Sequence, residues 1–240
     1  MWQRLALDCL RRHLYYPLAL GVVLVVAACG VRIKDLAPSG LPPMDRGVAL
    51  EWAEAFRPDS ARRYDLRWTY QTQQGTTRGR AAVRFVPPDS VRFDYRAPFG
   101  RSGAAVIVGQ EILWSRPEED VERLIQIAPV FWAAMGIPLA PPLEASVQGR
   151  QAGDVRTWRY AGPVDTLTYQ GAASLPGSTF RAQMRTGGEI VGTAEVTFAD
   201  SAPHPAAATM LFPSSASAVY FTIEAIETLS ASDSTIWQEP

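Results

Sequence analysis

Arg63-Tyr64-Asp65-Leu66-Arg67-Trp68-Thr69-Tyr70, then Ala81-Ala82-Val83-Arg84-Phe85, then Val91-Arg92-Phe93-Asp94-Tyr95-Arg96, is the stretch whose reading decides the fold. Tyr64, Leu66, Trp68 and Tyr70 alternate with Arg63, Asp65, Arg67 and Thr69, and the two later runs repeat the pattern. A period of two puts one residue set on each face of a strand, so these are strands with one buried and one wet face. Gln74-Gly75 and Pro87-Pro88-Asp89 separate the runs as turns. The stretch is therefore an antiparallel meander.

Downstream, Ala97-Pro98-Phe99-Gly100 reads as a loop, and residues 104–108 and 111–115 as two further strands around Gly109-Gln110. From about Glu118 to Met135 the spacing becomes helical, with Val121, Leu124, Ile125, Ala128, Phe131, Trp132 and Met135 on one side. Pro129 is expected to split this helix, and Gly136-Ile137-Pro138 to stop it. Strands return at about 154–160, 165–170, 179–185, 189–198, 207–212 and 218–227, with Gly187-Gly188 as a hairpin turn. The total is ten or eleven strands. The expected fold is mainly β (α+β), a large, partly closed antiparallel sheet with helices on its concave side.

Upstream, residues 45–57 read as a leading helix capped by Asp45, with Val48, Trp52, Ala55 and Phe56 on one face and Pro58 as its end. Residues 30–44 read as a tether, because Pro38, Gly40, Pro42 and Pro43 break regular structure. About 15 extended residues reach at most roughly 50 Å. Before the tether come Arg11-Arg12, the apolar run Leu18–Ala28 and Cys29. A basic flank, a short apolar run and a small-residue cleavage site make an export signal. Tyr15–Ala28 is shorter than the roughly 20 residues of a spanning helix. Val26-Ala27-Ala28-Cys29 fits a lipobox, so Cys29 is the expected lipidation site. A signal cleaved without lipidation is the alternative. The division expected is a signal peptide at 1–28, a lipidated tether at 29–44, a folded domain at 45–230 and a flexible tail at 231–240.

Composition narrows the function. Losing Arg4, Arg11, Arg12 and Asp8 with residues 1–28 takes the formal charge from −1 to −3. No clustered basic run marks a nucleic-acid binder. Cys29 would be the only mature cysteine, so neither a disulfide nor a thiol pair is available. His204, between Pro203 and Pro205, is the only histidine after the signal, and a Ser-His-Asp hydrolase would have to use it. There is no G-x-S-x-G elbow and no phosphate-cradling G-x-x-x-x-G-K-[ST]. The expectation is a protein that is not an enzyme and uses neither cofactor nor metal. An aromatic-rich curved sheet with a helical insertion suits apolar cargo.

At residues 91–149 the order of motifs resembles a known family. The meander ends in Tyr95-Arg96-Ala97-Pro98-Phe99-Gly100. Two strands follow, then a helix ending in Met135-Gly136-Ile137-Pro138-Leu139, then Leu143 and Gln148-Gly149. Thr157-Trp158-Arg159-Tyr160 and Ala218–Ile226 extend the likeness over most of 50–228. Together with the lipobox, this resembles the outer-membrane lipoprotein receptor LolB and its LolA/LolB-like group. The resemblance implies an unclosed, eleven-stranded half-barrel with an apolar lining and a helical lid. It implies a monomeric receptor that accepts acylated lipoproteins from a periplasmic LolA-like carrier and inserts them into the outer membrane, without nucleotide. Phe99 matches the family's protruding loop residue, where leucine is usual, so Pro98-Phe99-Gly100 is the expected membrane-insertion loop.

Trp68, Phe85, Phe93, Ile107, Trp114, Leu124, Phe131 and Trp132 are the candidate cavity residues. Gly30 is not the aspartate that retains lipoproteins at the inner membrane in well-known sorting systems, so the expected location is the periplasmic face of the outer membrane. The alternative function is an envelope lipoprotein that senses or holds lipid or lipoprotein cargo without inserting it.

Overall fold

Twelve antiparallel strands form one sheet in the order β5-β4-β3-β2-β1-β12-β11-β10-β9-β8-β7-β6. They are β1 (Arg62–Thr72), β2 (Gly75–Val86), β3 (Ser90–Arg96), β4 (Ser102–Val108), β5 (Glu111–Arg116), β6 (Ser146–Ala152), β7 (Val155–Ala161), β8 (Asp165–Ala172), β9 (Thr179–Thr186), β10 (Glu189–Phe198), β11 (Pro205–Phe212) and β12 (Ser217–Thr228). Among the described residues, two α-helices accompany them, α1 (Arg46–Glu54) and α2 (Ala128–Ala134). The structure is a computed structural model, and it describes residues 33–37, 40–109, 111–117, 128–139, 143–230 and 237. Cys29 and Leu124 lie outside these.

Eleven of the strands fall where the alternation put them. β6 is the addition. Its sequence, Ser-Val-Gln-Gly-Arg-Gln-Ala, is mostly polar because it is an edge strand with little to bury. The sheet does not close, since β5 and β6 are its two ends. It does curl. α2 packs against β9, β10 and β11, while Phe131 meets Phe93 of β3 and Trp132 meets Phe85 of β2. One helix can touch strands so far apart in the sheet only if the sheet wraps around it.

α1 starts at Asp45, whose carboxylate accepts from the Gly47 and Val48 backbone N–H groups at 2.8 and 3.3 Å. Its buried stripe is Ala49, Trp52 and Ala53, continued by Phe56, and Val48 is exposed instead. Pro129 sits in the first turn of α2, where a missing N–H costs nothing. Gly187 and Gly188 both have positive φ, +59° and +90°, as a tight right-twisting hairpin requires.

The Pro-rich segment before α1 is docked along much of its length. Asp35 pairs with Arg185 of β9 at 3.0 Å, and the Arg159 guanidinium of β7 donates to the Ala37 carbonyl at 3.3 Å. Ala37 and Leu41 are buried. Pro43 bridges to Gln148, with Gly149 N–H donating to the Pro42 carbonyl at 2.9 Å and Met44 N–H to the Val147 carbonyl at 3.0 Å. The segment thus crosses the convex face and caps the β6 edge. Two prolines in an edge position leave no N–H free to recruit another strand. The expected tether is therefore a strap, and the folded unit begins at Asp35.

Strand registers define two rims. The β1–β2, β7–β8, β9–β10 and β11–β12 turns lie at one end of the sheet with the β3–β4 loop, here called the upper rim. The β2–β3, β4–β5, β6–β7, β8–β9 and β10–β11 turns lie at the lower rim.

Candidate functional site

The concave face has two unlike halves. Under α1 it is filled. Trp158, Tyr169 and Phe180 are fully buried, with Phe56 wedged among Trp158, Phe180 and Phe198 at centroid distances of 6.0, 4.8 and 6.2 Å. The Tyr169 hydroxyl donates to the Leu139 carbonyl at 3.2 Å, tying the chain after α2 to β8. Burial pushes the Tyr64, Tyr160 and Tyr169 hydroxyls above the usual phenol range.

The half formed by β1–β4 is more open. Trp68, Phe93 and Tyr95 are half-buried and make a shelf beside α2. Trp68 meets Tyr95 edge-on at 6.4 Å, Tyr95 lies 5.9 Å from Phe93, and Phe93 meets Phe131 edge-on at 5.7 Å. Two glycines shape the shelf. A Cβ at Gly79 would overlap the Trp68 indole and the Arg96 carbonyl, and one at Gly103 would overlap the Tyr95 ring. Each ring therefore lies flat over the neighbouring strand because no side chain stands there.

Behind the shelf, α2 is wholly buried. Trp132 packs edge-on against Phe85 at 6.0 Å, and its indole N–H donates to the Gly109 carbonyl at 2.8 Å. Val130 lies over Gly192 of β10. α2 thus occupies the concave side between β2–β3 and β9–β11.

The structure therefore brings Trp68, Phe85, Phe93, Ile107, Phe131 and Trp132 to the concave side. Trp114 goes elsewhere. It pairs with Val106 on the convex face, stacks 5.3 Å from the Arg92 guanidinium, and donates to the Trp237 carbonyl at 3.0 Å. The cause is a bulge between Val106 and Ile107, which inserts Leu113 and reverses the face of the residues after it. Trp237 belongs to the segment expected to be a free tail.

Tyr95, Tyr169 and Phe180 were not among the cavity candidates read from sequence; in-strand Gly79, Gly103 and Gly171 were the available signal. The backbone of Pro98–Gly100 forms a 3-10 turn at the upper rim, packed beside β2. His204 is half-buried in the β10–β11 turn, with Nδ1 3.2 Å from the Pro205 carbonyl. Among the described residues, no group of His, Cys, Asp and Glu is arranged to hold a metal. Among them, too, no helix is long and apolar enough to cross a membrane.

No protein-family model and no curated protein matches this sequence. Solved structures do match. A LolA-superfamily protein from Nitrosomonas europaea aligns with a TM-score of 0.54 at 11% identity, over 82% of this chain and 98% of that one. A domain described as an outer-membrane lipoprotein-sorting protein, from Vibrio parahaemolyticus, aligns at 0.43 with 5% identity, over 79% and 94%. The first shows that the two share a fold, an unclosed, curved antiparallel sheet.

Proposed function

We propose that this protein is a lipid-anchored envelope protein that takes acyl chains of a lipoprotein onto its concave face beneath α2 and passes them to the outer membrane. It does so without catalysis, cofactor or nucleotide. The observation that carries this reading is the half-buried aromatic shelf of Trp68, Phe93 and Tyr95 beside a wholly buried helix. The fold shared with a LolA-superfamily protein supports it, as does the lipobox at Cys29.

A lipid chain gains about 0.8 kcal/mol per buried methylene. Release of acyl cargo into water would therefore be prohibitively slow. Transfer must run directly from one apolar site to the next: LolA-like carrier, this shelf, bilayer. The Phe99 turn at the upper rim is the proposed contact with the receiving bilayer.

The test combines mature protein, a carrier loaded with fluorescent lipoprotein, and liposomes. Cargo is expected to move to the liposomes without ATP. A strict nucleotide requirement would refute the reading. The second reading, a protein that holds cargo without inserting it, is favoured by the fully packed half of the concave face under α1, which limits the room. In that case cargo would leave the carrier and stay on the protein, and depletion would not strand lipoproteins in the periplasm.

A further inference from the structure

We infer that the corner of the upper rim around the β3–β4 turn is a docking surface for anionic phospholipid headgroups. It is built from Arg78, Arg96 and Arg101. This deepens the proposed membrane contact and rests on it for the identity of the surface, but on none of the cargo chemistry.

Arg78 is on β2, Arg96 closes β3, and Arg101 follows the Phe99 turn. All three are exposed, and none of their guanidinium groups has a hydrogen-bond or ion-pair partner among the described residues. Arg96 stands directly opposite Arg80 across the β2–β3 ladder. Like charges so placed repel. The same arrangement recurs farther down the ladder, where Arg84 faces Arg92. There Asp94 ion-pairs with both. At the rim no carboxylate among the described residues takes that place. Glu224 reaches Arg67 and, at 3.8 Å, Arg80, and leaves Arg96 unpaired. Among the described residues the fold neutralises the inner pair and leaves Arg96 of the outer one for an external anion.

The lower rim has the opposite character. Asp89, Asp154 and Asp200 lie in its turns and Asp59 beside it. Its Arg62 is tied to Asp59 at 2.9 Å, and Arg57 to Glu54. On the upper rim, Glu144, Asp165 and Glu189 lie on the β6–β10 side, so the basic surface is a corner, not the whole end. An anionic bilayer would attract this corner and repel the far rim.

Chain length points the same way. The strap leaves the folded unit at Asp35, against Arg185 one residue from the β9–β10 turn, which is also on the upper rim. Asp35 is only six positions after Cys29, a reach of at most about 20 Å. A lipid on Cys29 would hold this rim, and not the acidic one, near the bilayer.

The test uses the mature chain with Cys29→Ser, which cannot be acylated, and vesicles of phosphatidylcholine with or without 30% phosphatidylglycerol. No cargo or carrier is present, so the result is independent of transfer activity. The protein is expected to bind the anionic vesicles at least tenfold more tightly, with the preference falling as salt rises. Each arginine near such a surface contributes about fivefold. Arg96→Gln with Arg101→Gln should therefore weaken binding about 25-fold. Arg150→Gln with Arg181→Gln, the same charge change on exposed sites far from this corner, should leave a greater part of it intact. Melting temperatures confirm that both variants fold. Equal binding to neutral and anionic vesicles, or equal losses from the two double variants, would overturn the inference.

Discussion

At the residue scale, two positions separate function from folding. Phe99 is held in a short turn at the rim, between Pro98 and Gly100, and Gly100 has φ +76°. Burying a phenylalanine side chain is worth about 1.5–3 kcal/mol, enough to bias membrane contact but not to anchor. Phe99→Glu is expected to slow cargo insertion into liposomes and leave acceptance from the carrier unchanged; unchanged insertion would sink the assignment. Gly79 acts on the shelf instead. Gly79→Ala should displace the Trp68 ring, lower stability by about 1–3 kcal/mol, and shift Trp68 fluorescence. Trp114 shows why a single residue can be unreadable. Strict alternation from Ile107 puts it on the concave side, and one inserted residue, Leu113, turns it to the other.

At the element scale, α2 is the part expected to move, and its packing says what holds it. Trp132→Ala removes a fully buried indole together with its bond to the Gly109 carbonyl. The expected cost is about 3–5 kcal/mol, read from denaturant midpoints. Val130 and Gly192 approach closely enough to pin the helix. Val130→Cys with Gly192→Cys, oxidised, should abolish cargo acceptance, and reduction should restore it. Full acceptance in the oxidised protein would mean that cargo does not enter beneath α2. β1, β2 and β3 were legible because each buries one face, which writes a period of two into the sequence. β6 was not, because a polar edge strand buries too little to write any pattern. The strap differs from the expected tether for a related reason. Pro38, Gly40, Pro42 and Pro43 forbid helix and ladder, but not docking of a chain held by Asp35, Ala37 and Leu41.

At the scale of the whole molecule, three buried phenols make stability sensitive to alkali. Tyr64, Tyr160 and Tyr169 have their pKa values raised, chiefly by burial. A raised folded pKa means the contribution is fully present below the unfolded value of about 10 and is lost as pH climbs from there toward the folded value. Each phenol can steepen the fall by about 1.4 kcal/mol per pH unit. Melting temperature should therefore drop above pH 10, with tyrosinate absorbance appearing together with unfolding. Tyrosinate formation by all three in the folded protein, without loss of stability, would contradict the burial.

The sequence by itself determined the class of fold. Alternation, turn residues and one helical insertion suffice for a long antiparallel sheet with helices against one face, because burial on one side leaves a local, periodic trace. The motif order around Pro98-Phe99-Gly100 carried the resemblance from which an acyl-binding role was expected. Tertiary structure alone decided which face is concave, that one half of it is filled by α1, that Trp114 lies outside, and that the segment after Cys29 is strapped down from Asp35. It alone collected Arg78, Arg96 and Arg101 at the rim that carries the Phe99 turn. These are matters of register, curvature and docking between residues far apart in the chain. A one-residue bulge or a few long-range contacts settle them, and such contacts leave no periodicity to read.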